Sequence, residues 1–171
     1  MSAKGEWDAM IRRAVVITVS DRSARGERVD ESGPVAIEAL RGAGWMATGI
    51  IVPDGVETVG AAIDAALGTG ARLVVTTGGT GIGPRDESPE ATLPRLAIAL
   101  PGVAEELRRR GAAVRATAAL SRGVAGVAAG SEGGALIVNL PGSPGGVADG
   151  IAFVVEIADH VIAQLDGGDH P

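Results

Sequence analysis

Between residues 76 and 86 the chain reads Thr76-Thr77-Gly78-Gly79-Thr80-Gly81-Ile82-Gly83-Pro84-Arg85-Asp86. Glycines leave backbone N–H groups open and put no Cβ in a ligand's way, which is how a backbone cradles phosphate. The hydroxyls of Thr77 and Thr80 add donors, Arg85 adds positive charge, and Asp86 could hold a metal ion. A tight strand-to-helix connection explains the glycines but not the hydroxyls and the charged pair together. The loop is not a P-loop, because no GxxxxGK[ST] occurs, and its glycines are spaced too tightly for the dinucleotide pattern GxGxxG.

Other groups are candidates for the same chemistry. A second carboxylate near Asp86 would complete a magnesium site, since Mg²⁺ commonly takes one or two carboxylates plus substrate phosphates and water. Asp54 could supply it, although Pro53-Asp54-Gly55 also reads as a plain turn in which the Asp bonds its own backbone. Phosphoryl and nucleotidyl transfer needs positioning and charge neutralisation more than a protein nucleophile. Pro141-Gly142-Ser143-Pro144-Gly145-Gly146 is a second Gly/Pro loop, either a ligand contact or a rigid turn. Ser121-Arg122 offers a hydroxyl and a guanidinium to an anion, or is a solvated turn. Asp21-Arg22 is a local ion pair or a ligand contact. The run Arg108-Arg109-Arg110 reads as a solvated helix end, where positive charge suits the dipole.

The bulk composition removes several alternatives. The 171 residues suffice for one domain with a buried core, and 46% are hydrophobic. We expect a single domain over 1–171, with its core at about 14–165 and a disordered tail from Asp166 to Pro171. The chain has no cysteine, hence no disulfide, thiolate site or Cys nucleophile. Two histidines, His160 and His170, give little support to a His triad or a His-rich metal site. A net charge of -6 disfavours nucleic acid, and three aromatic residues (Trp7, Trp45, Phe153) cannot build a base-stacking surface. No apolar run reaches membrane-spanning length, and the N-terminal Met1–Arg13 stretch lacks a signal-peptide core. A cytoplasmic protein is expected.

These groups need elements to position them. Ala14–Val19, Met46–Val52, Leu73–Thr76, Gly123–Ala129 and Ala135–Leu140 read as strands. Asp30–Ala43, Val56–Leu67, Val103–Arg110 and Val147–Leu165 read as helices, and another starts with Ser88 as N-cap and Pro89 at the first position. Strands alternating with helices predict a three-layer α/β/α sandwich around a mostly parallel, mixed sheet. Ligands in such folds bind beyond the carboxyl ends of the strands. The loops 20–22, 53–55, 77–86 and 141–146 would therefore share one edge.

The ordered set of motifs resembles a known family. Thr76-Thr77-Gly78-Gly79-Thr80-Gly81, Pro84-Arg85-Asp86 and Ser88-Pro89-Glu90-Ala91-Thr92 are similar to the signature of molybdopterin-binding proteins of the stand-alone MogA/MoaB-like adenylyltransferase type. Ser20-Asp21-Arg22, Asp30 with Ser32-Gly33, Pro53-Asp54, Pro101-Gly102, Leu120-Ser121-Arg122 and Asn139-Leu140-Pro141-Gly142-Ser143-Pro144 follow in the expected order. The chain departs from the family at Glu87-Ser88, often Val-Thr, and at Val103, often Phe. The resemblance implies adenylylation of molybdopterin by MgATP with release of pyrophosphate, within molybdenum cofactor biosynthesis. It implies catalytic and Mg²⁺-positioning roles for Asp54 and Asp86, and a phosphate cradle at Gly78–Gly81. It places Ser20, Asp21, Thr77, Thr80, Arg85, Ser121, Arg122, Asn139, Pro141, Gly142, Ser143 and Pro144 around the pterin and nucleotide. It implies a homotrimer, in some members paired into a hexamer, and a downstream molybdenum-insertion enzyme as partner. Two alternatives are a non-catalytic molybdopterin carrier or scaffold of the MoaB-like type and an unrelated phosphotransferase or pyrophosphatase.

Overall fold

The computed structural model describes residues 12–131 and 133–168. Expectations for the segment before residue 12, for Glu132 and for residues 169–171 lie outside the described residues. Within them, six strands form one sheet in the order β2-β1-β3-β6-β5-β4: β1 (Arg13–Val19), β2 (Met46–Val52), β3 (Leu73–Thr77), β4 (Ile98–Ala99), β5 (Ala125–Ala128) and β6 (Ala135–Leu140). The first four in that order run parallel, β5 runs antiparallel to β6, and β4 antiparallel to β5. The helices are α1 (Asp21–Ala24), α2 (Ser32–Gly42), α3 (Val56–Gly68), α4 (Ser88–Thr92), α5 (Pro101–Val114) and α6 (Pro144–Leu165).

The central strands explain the sandwich. Every residue of β3 and β6 is buried, as expected for strands covered on both faces. Val16, Leu73, Val75, Leu136 and Val138 pack under α2, α5 and α6. Ile17, Val74 and Ile137 pack on the opposite face, under α3 and α4. Full burial of side chains such as Leu40 in α2 and Ile63 in α3 stabilises each contact by about 1.5–3 kcal/mol. Thr18 lies level with both Ile51 and Thr77, and Thr77 with Leu140. The four parallel strands thus end together, and their loops leave from one edge.

Several boundaries differ from the sequence reading. Ser88 is not an N-cap: it lies inside α4, and its hydroxyl donates to the Gly78 carbonyl at 2.9 Å. The residue before it, Glu87, instead accepts from the Val56 N–H at the start of α3. α5 extends to Val114 and is followed by a 3-10 turn, Ala116–Leu120. The two-residue β4 was not anticipated, because Ile98 and Ala99 are exposed and too short to show a period. The start of the expected disordered tail is held: Asp166 pairs with the buried Arg72 at 2.8 Å. Among the described residues no helix is long and apolar enough to cross a membrane.

Candidate active site

The glycine loop begins where β3 ends. Gly78 and Gly79 both take positive φ, +94° and +66°, which L side chains adopt only with strain. A Cβ at Gly78 would fall on the Val19 carbonyl oxygen, and one at Gly79 on the Ser88 hydroxyl. The Gly78 N–H is spent on the Leu140 carbonyl, and the Gly83 N–H on the Asp86 carboxylate. Among the described residues nothing accepts from the N–H groups of Gly79, Thr80 and Gly81.

These glycines open onto a cavity of about 770 Å³. One wall is Gly78 to Ile82 with Asp86. A second is Pro141 to Gly146, leading into α6. The third is α5 and the 3-10 turn after it, which contribute apolar groups such as Leu107, Val114 and Leu120. The two glycine loops touch: a Cβ on Gly142 would stand 3.3 Å from the Gly78 Cα. Ser143 caps α6 by accepting from Gly146 N–H. The Ser32 hydroxyl, 110 positions away in sequence, ties Gly142 down through its carbonyl at 2.7 Å.

Beside the cavity stands a second, linked cluster. The Asp21 N–H donates to the Asp54 carboxylate at 2.8 Å, and the Asp54 N–H returns a bond to the Asp21 carboxylate at 3.2 Å. Arg85 bridges them, donating to both Asp21 carboxylate oxygens and to the Asp54 carbonyl at 2.9 Å. Asp21 thus pairs with Arg85 rather than with its neighbour Arg22, and the Arg85 contact lowers its pKa. Asp54 behaves oppositely. Burial pushes its carboxyl up, with help from the negative charges of Asp21 and Asp86 and against the Asp21 backbone hydrogen bond. A carboxylate held in that state gains from a cation.

The donor set fits Mg²⁺. Asp54 and Asp86 offer hard oxygens, and each has spent one carboxylate oxygen on a backbone N–H. No group of three or more His, Cys, Asp or Glu side chains is placed to hold a metal among the described residues. An ion there would depend on substrate phosphates for the rest of its shell.

Several expected contacts have other partners. Arg122 does not line the cavity. It donates to the Gly81 and Asp86 carbonyls and pairs with Glu90, so it braces the loop from behind. The Asn139 side chain is fully committed: its amide donates to the Thr76 and Thr92 hydroxyls at 2.9 Å, and its oxygen accepts from the Val124 N–H. The Ser20 hydroxyl caps α1 by accepting from the Ser23 N–H, and the Ser121 hydroxyl accepts from Gly123 N–H. Thr77 is buried, and among the described residues its hydroxyl has no partner. Arg108 is no solvated helix end, since it donates to the Gly123 carbonyl at 2.9 Å and lines the cavity. Asp30 was named only within a motif. Its carboxylate accepts from Thr18 and from the Ser32 and Gly33 N–H groups, setting the start of α2.

Fold and site define an α/β protein with a glycine-rich loop at the strand ends, its N–H groups at Gly79 to Gly81 unbonded among the described residues, and two carboxylates beside it. By comparison with known proteins, the chain belongs to the family described as the probable molybdopterin binding domain, whose model matches residues 15–160. It is 40% identical over 158 residues to the molybdenum cofactor biosynthesis bifunctional protein of Synechococcus elongatus, covering 92% of this chain and 48% of that protein. It is 38% identical over 148 residues to the molybdopterin adenylyltransferase of Pyrococcus furiosus, covering 86% and 87%. The crystal structure of a molybdopterin biosynthesis protein from Mycobacterium abscessus superposes with a TM-score of 0.84 at 43% identity, covering 92% of this chain and 98% of that one. The chain spans about half the length of the first curated relatives it matches.

Proposed function

We propose that this chain is a molybdopterin adenylyltransferase acting with MgATP in molybdenum cofactor biosynthesis. The observation that carries the reading is the run of acceptor-free N–H groups at Gly79, Thr80 and Gly81, residues that line a cavity large enough for two substrates. Family membership and the names of full-length relatives support the substrate.

In this reading the terminal phosphate of molybdopterin attacks the α-phosphorus of ATP. A P–O bond forms to the attacking oxygen. The bond from the α-phosphorus to the bridging oxygen breaks, and pyrophosphate leaves with the electron pair. Gly79 to Gly81 stabilise the charge that gathers on the α-phosphate oxygens. Mg²⁺, when bound, neutralises the triphosphate and favours the leaving group. Asp54 and Asp86 are the residues to hold it, and Asp54, its carboxyl pushed up, can take a proton from the attacking phosphate. Asp21 and Arg85 orient Asp54, while Arg122 and Glu90 orient Asp86. We further propose a cytoplasmic homotrimer, alone or paired into a hexamer, that passes adenylyl-molybdopterin to a molybdenum-insertion enzyme.

The test is pyrophosphate release from MgATP with and without molybdopterin, for the wild type, Asp54→Asn and Asp86→Asn. Release that requires the pterin and falls by at least about 100-fold in both variants is expected. Wild-type protein that binds molybdopterin but releases no pyrophosphate overturns the enzyme reading and leaves a carrier.

A further inference from the structure

The wall of the cavity carries two carboxylates among the described residues, Asp86 and Asp149. Asp86 belongs to the glycine end and is held by Gly83 N–H. Among the described residues the Asp149 side chain has no hydrogen bond and no ion pair, yet its helix is fixed in place. Its neighbours Gly150 and Ile151 are buried, and a Cβ on Gly150 would press on Leu140 at 2.7 Å. Several other polar groups on the wall are spent, although the side chains of Thr80, Arg115 and Thr117 have no partner among the described residues. The Asn139 side chain serves Thr76, Thr92 and Val124, and the Ser121 and Ser143 hydroxyls accept from backbone N–H groups.

Asp149 also stands at a useful distance. It lies six residues beyond Ser143, so it is about 9 Å along α6 from the loop that touches Gly78. A substrate whose phosphate sits at the glycine end would lay its far end beside this carboxylate. Resting on the function proposed above, we propose that Asp149 recognises the pterin ring by its 2-amino-4-oxopyrimidine edge. That edge presents two adjacent donors, the ring N3–H and the exocyclic amino group. An ionised carboxylate is acceptor-only and takes such a pair in bidentate fashion, as it does a guanidinium. Adenine is a poorer match, since its amino group lies next to a ring nitrogen that is itself an acceptor and repels the second carboxylate oxygen. Asp149 therefore separates the pterin subsite from the nucleotide subsite.

The experiment uses two fluorescent probes, 2-amino-4-oxopteridine-6-carboxylate and its 2,4-dioxo analogue, in which an acceptor oxygen replaces the amino donor. They are titrated into wild-type, Asp149→Asn and Asp149→Ala protein, with ATP affinity and thermal midpoint measured alongside. The wild type is expected to prefer the amino probe by about 10- to 100-fold, the range for losing a charge-assisted pair. Asp149→Asn is expected to lose that preference, because its amide can donate to the dioxo ring, while ATP affinity and melting stay unchanged. Asp149→Ala should weaken the amino probe without gaining the other. Equal wild-type binding of the two probes, an unchanged preference in Asp149→Asn, or a loss confined to ATP each overturns the assignment alone. Wild-type protein that binds ATP and neither probe nor molybdopterin overturns the adenylyltransferase reading with it.

Discussion

Gly78→Ala isolates the geometry of the proposed phosphate cradle. At φ +94° an alanine is strained by about 1–2 kcal/mol on backbone grounds. Its methyl would also clash with the Val19 carbonyl oxygen, a backbone atom that cannot rotate away. Forcing an extra carbon into such a contact costs a further ~1–3 kcal/mol. The sum, about 2–5 kcal/mol, is a large part of a typical domain's 5–15 kcal/mol but leaves the protein folded. At this chain length it corresponds to a thermal midpoint lowered by about 4–20 °C. Relief requires the loop to shift away from β1, which moves the N–H groups of Gly79 to Gly81, so pyrophosphate release should fall further than stability alone explains. Gly102→Ala is the control: nothing lies within 4 Å of its Cβ position in α5, and helix propensity predicts a gain of up to about 1 kcal/mol. Thermal unfolding and single-turnover assays of both variants decide the matter. A Gly78→Ala protein that melts within about 1 °C of wild type and keeps full activity would refute the steric argument.

Two further outcomes follow from charge. A folded-state pKa raised by burial means that Asp54 contributes stability below its unfolded pKa and loses it as the pH rises through the higher folded value. Asp54→Asn removes that loss, so in metal-free protein the variant should gain urea resistance over wild type as the pH rises above the ordinary carboxylate range of about 4, and a gap that closes with rising pH would contradict the sign. Asp166→Ala strips the buried Arg72 of its carboxylate and should cost about 1–3 kcal/mol in denaturant unfolding. Because Arg72 sits before β3, at the sheet edge opposite the glycine loop, catalysis below the new midpoint should be intact.

The elements were legible because they follow local rules. β3 and β6 are continuous apolar runs, and α3 buries Val59, Ile63 and Ala66 at helical spacing. The edge that gathers the four loops followed from alternation alone, since parallel strands must send their carboxyl ends the same way. What escaped were partners distant in sequence. Asp21 found Arg85, 64 positions on, rather than Arg22. Ser88 was read as a cap because its neighbours look like a helix start, but the Gly78 carbonyl competes for its hydroxyl. Asp149 carried no signal at all, since a lone acidic residue early in a helix looks like ordinary solvated charge.

The partners of the arginines bear on how the site would handle charge. Sequence offers Arg85 and Arg122 as cations for a phosphate, yet both guanidiniums are occupied, by Asp21 with the Asp54 carbonyl and by Glu90 with the Gly81 and Asp86 carbonyls. Each arginine binds the main chain of a residue whose carboxylate faces the proposed chemistry. They act as struts, and a strut cannot follow a phosphate through its reaction without releasing the carboxylate it positions. In the proposed reaction the field at the triphosphate would then come from the N–H groups of Gly79 to Gly81 and the amino-terminal end of α6, with Arg108 and Arg115 on the facing wall. Those dipoles are fixed by the same contacts that forbid a side chain at Gly78, so electrostatics and backbone strain at this loop are two consequences of one packing arrangement.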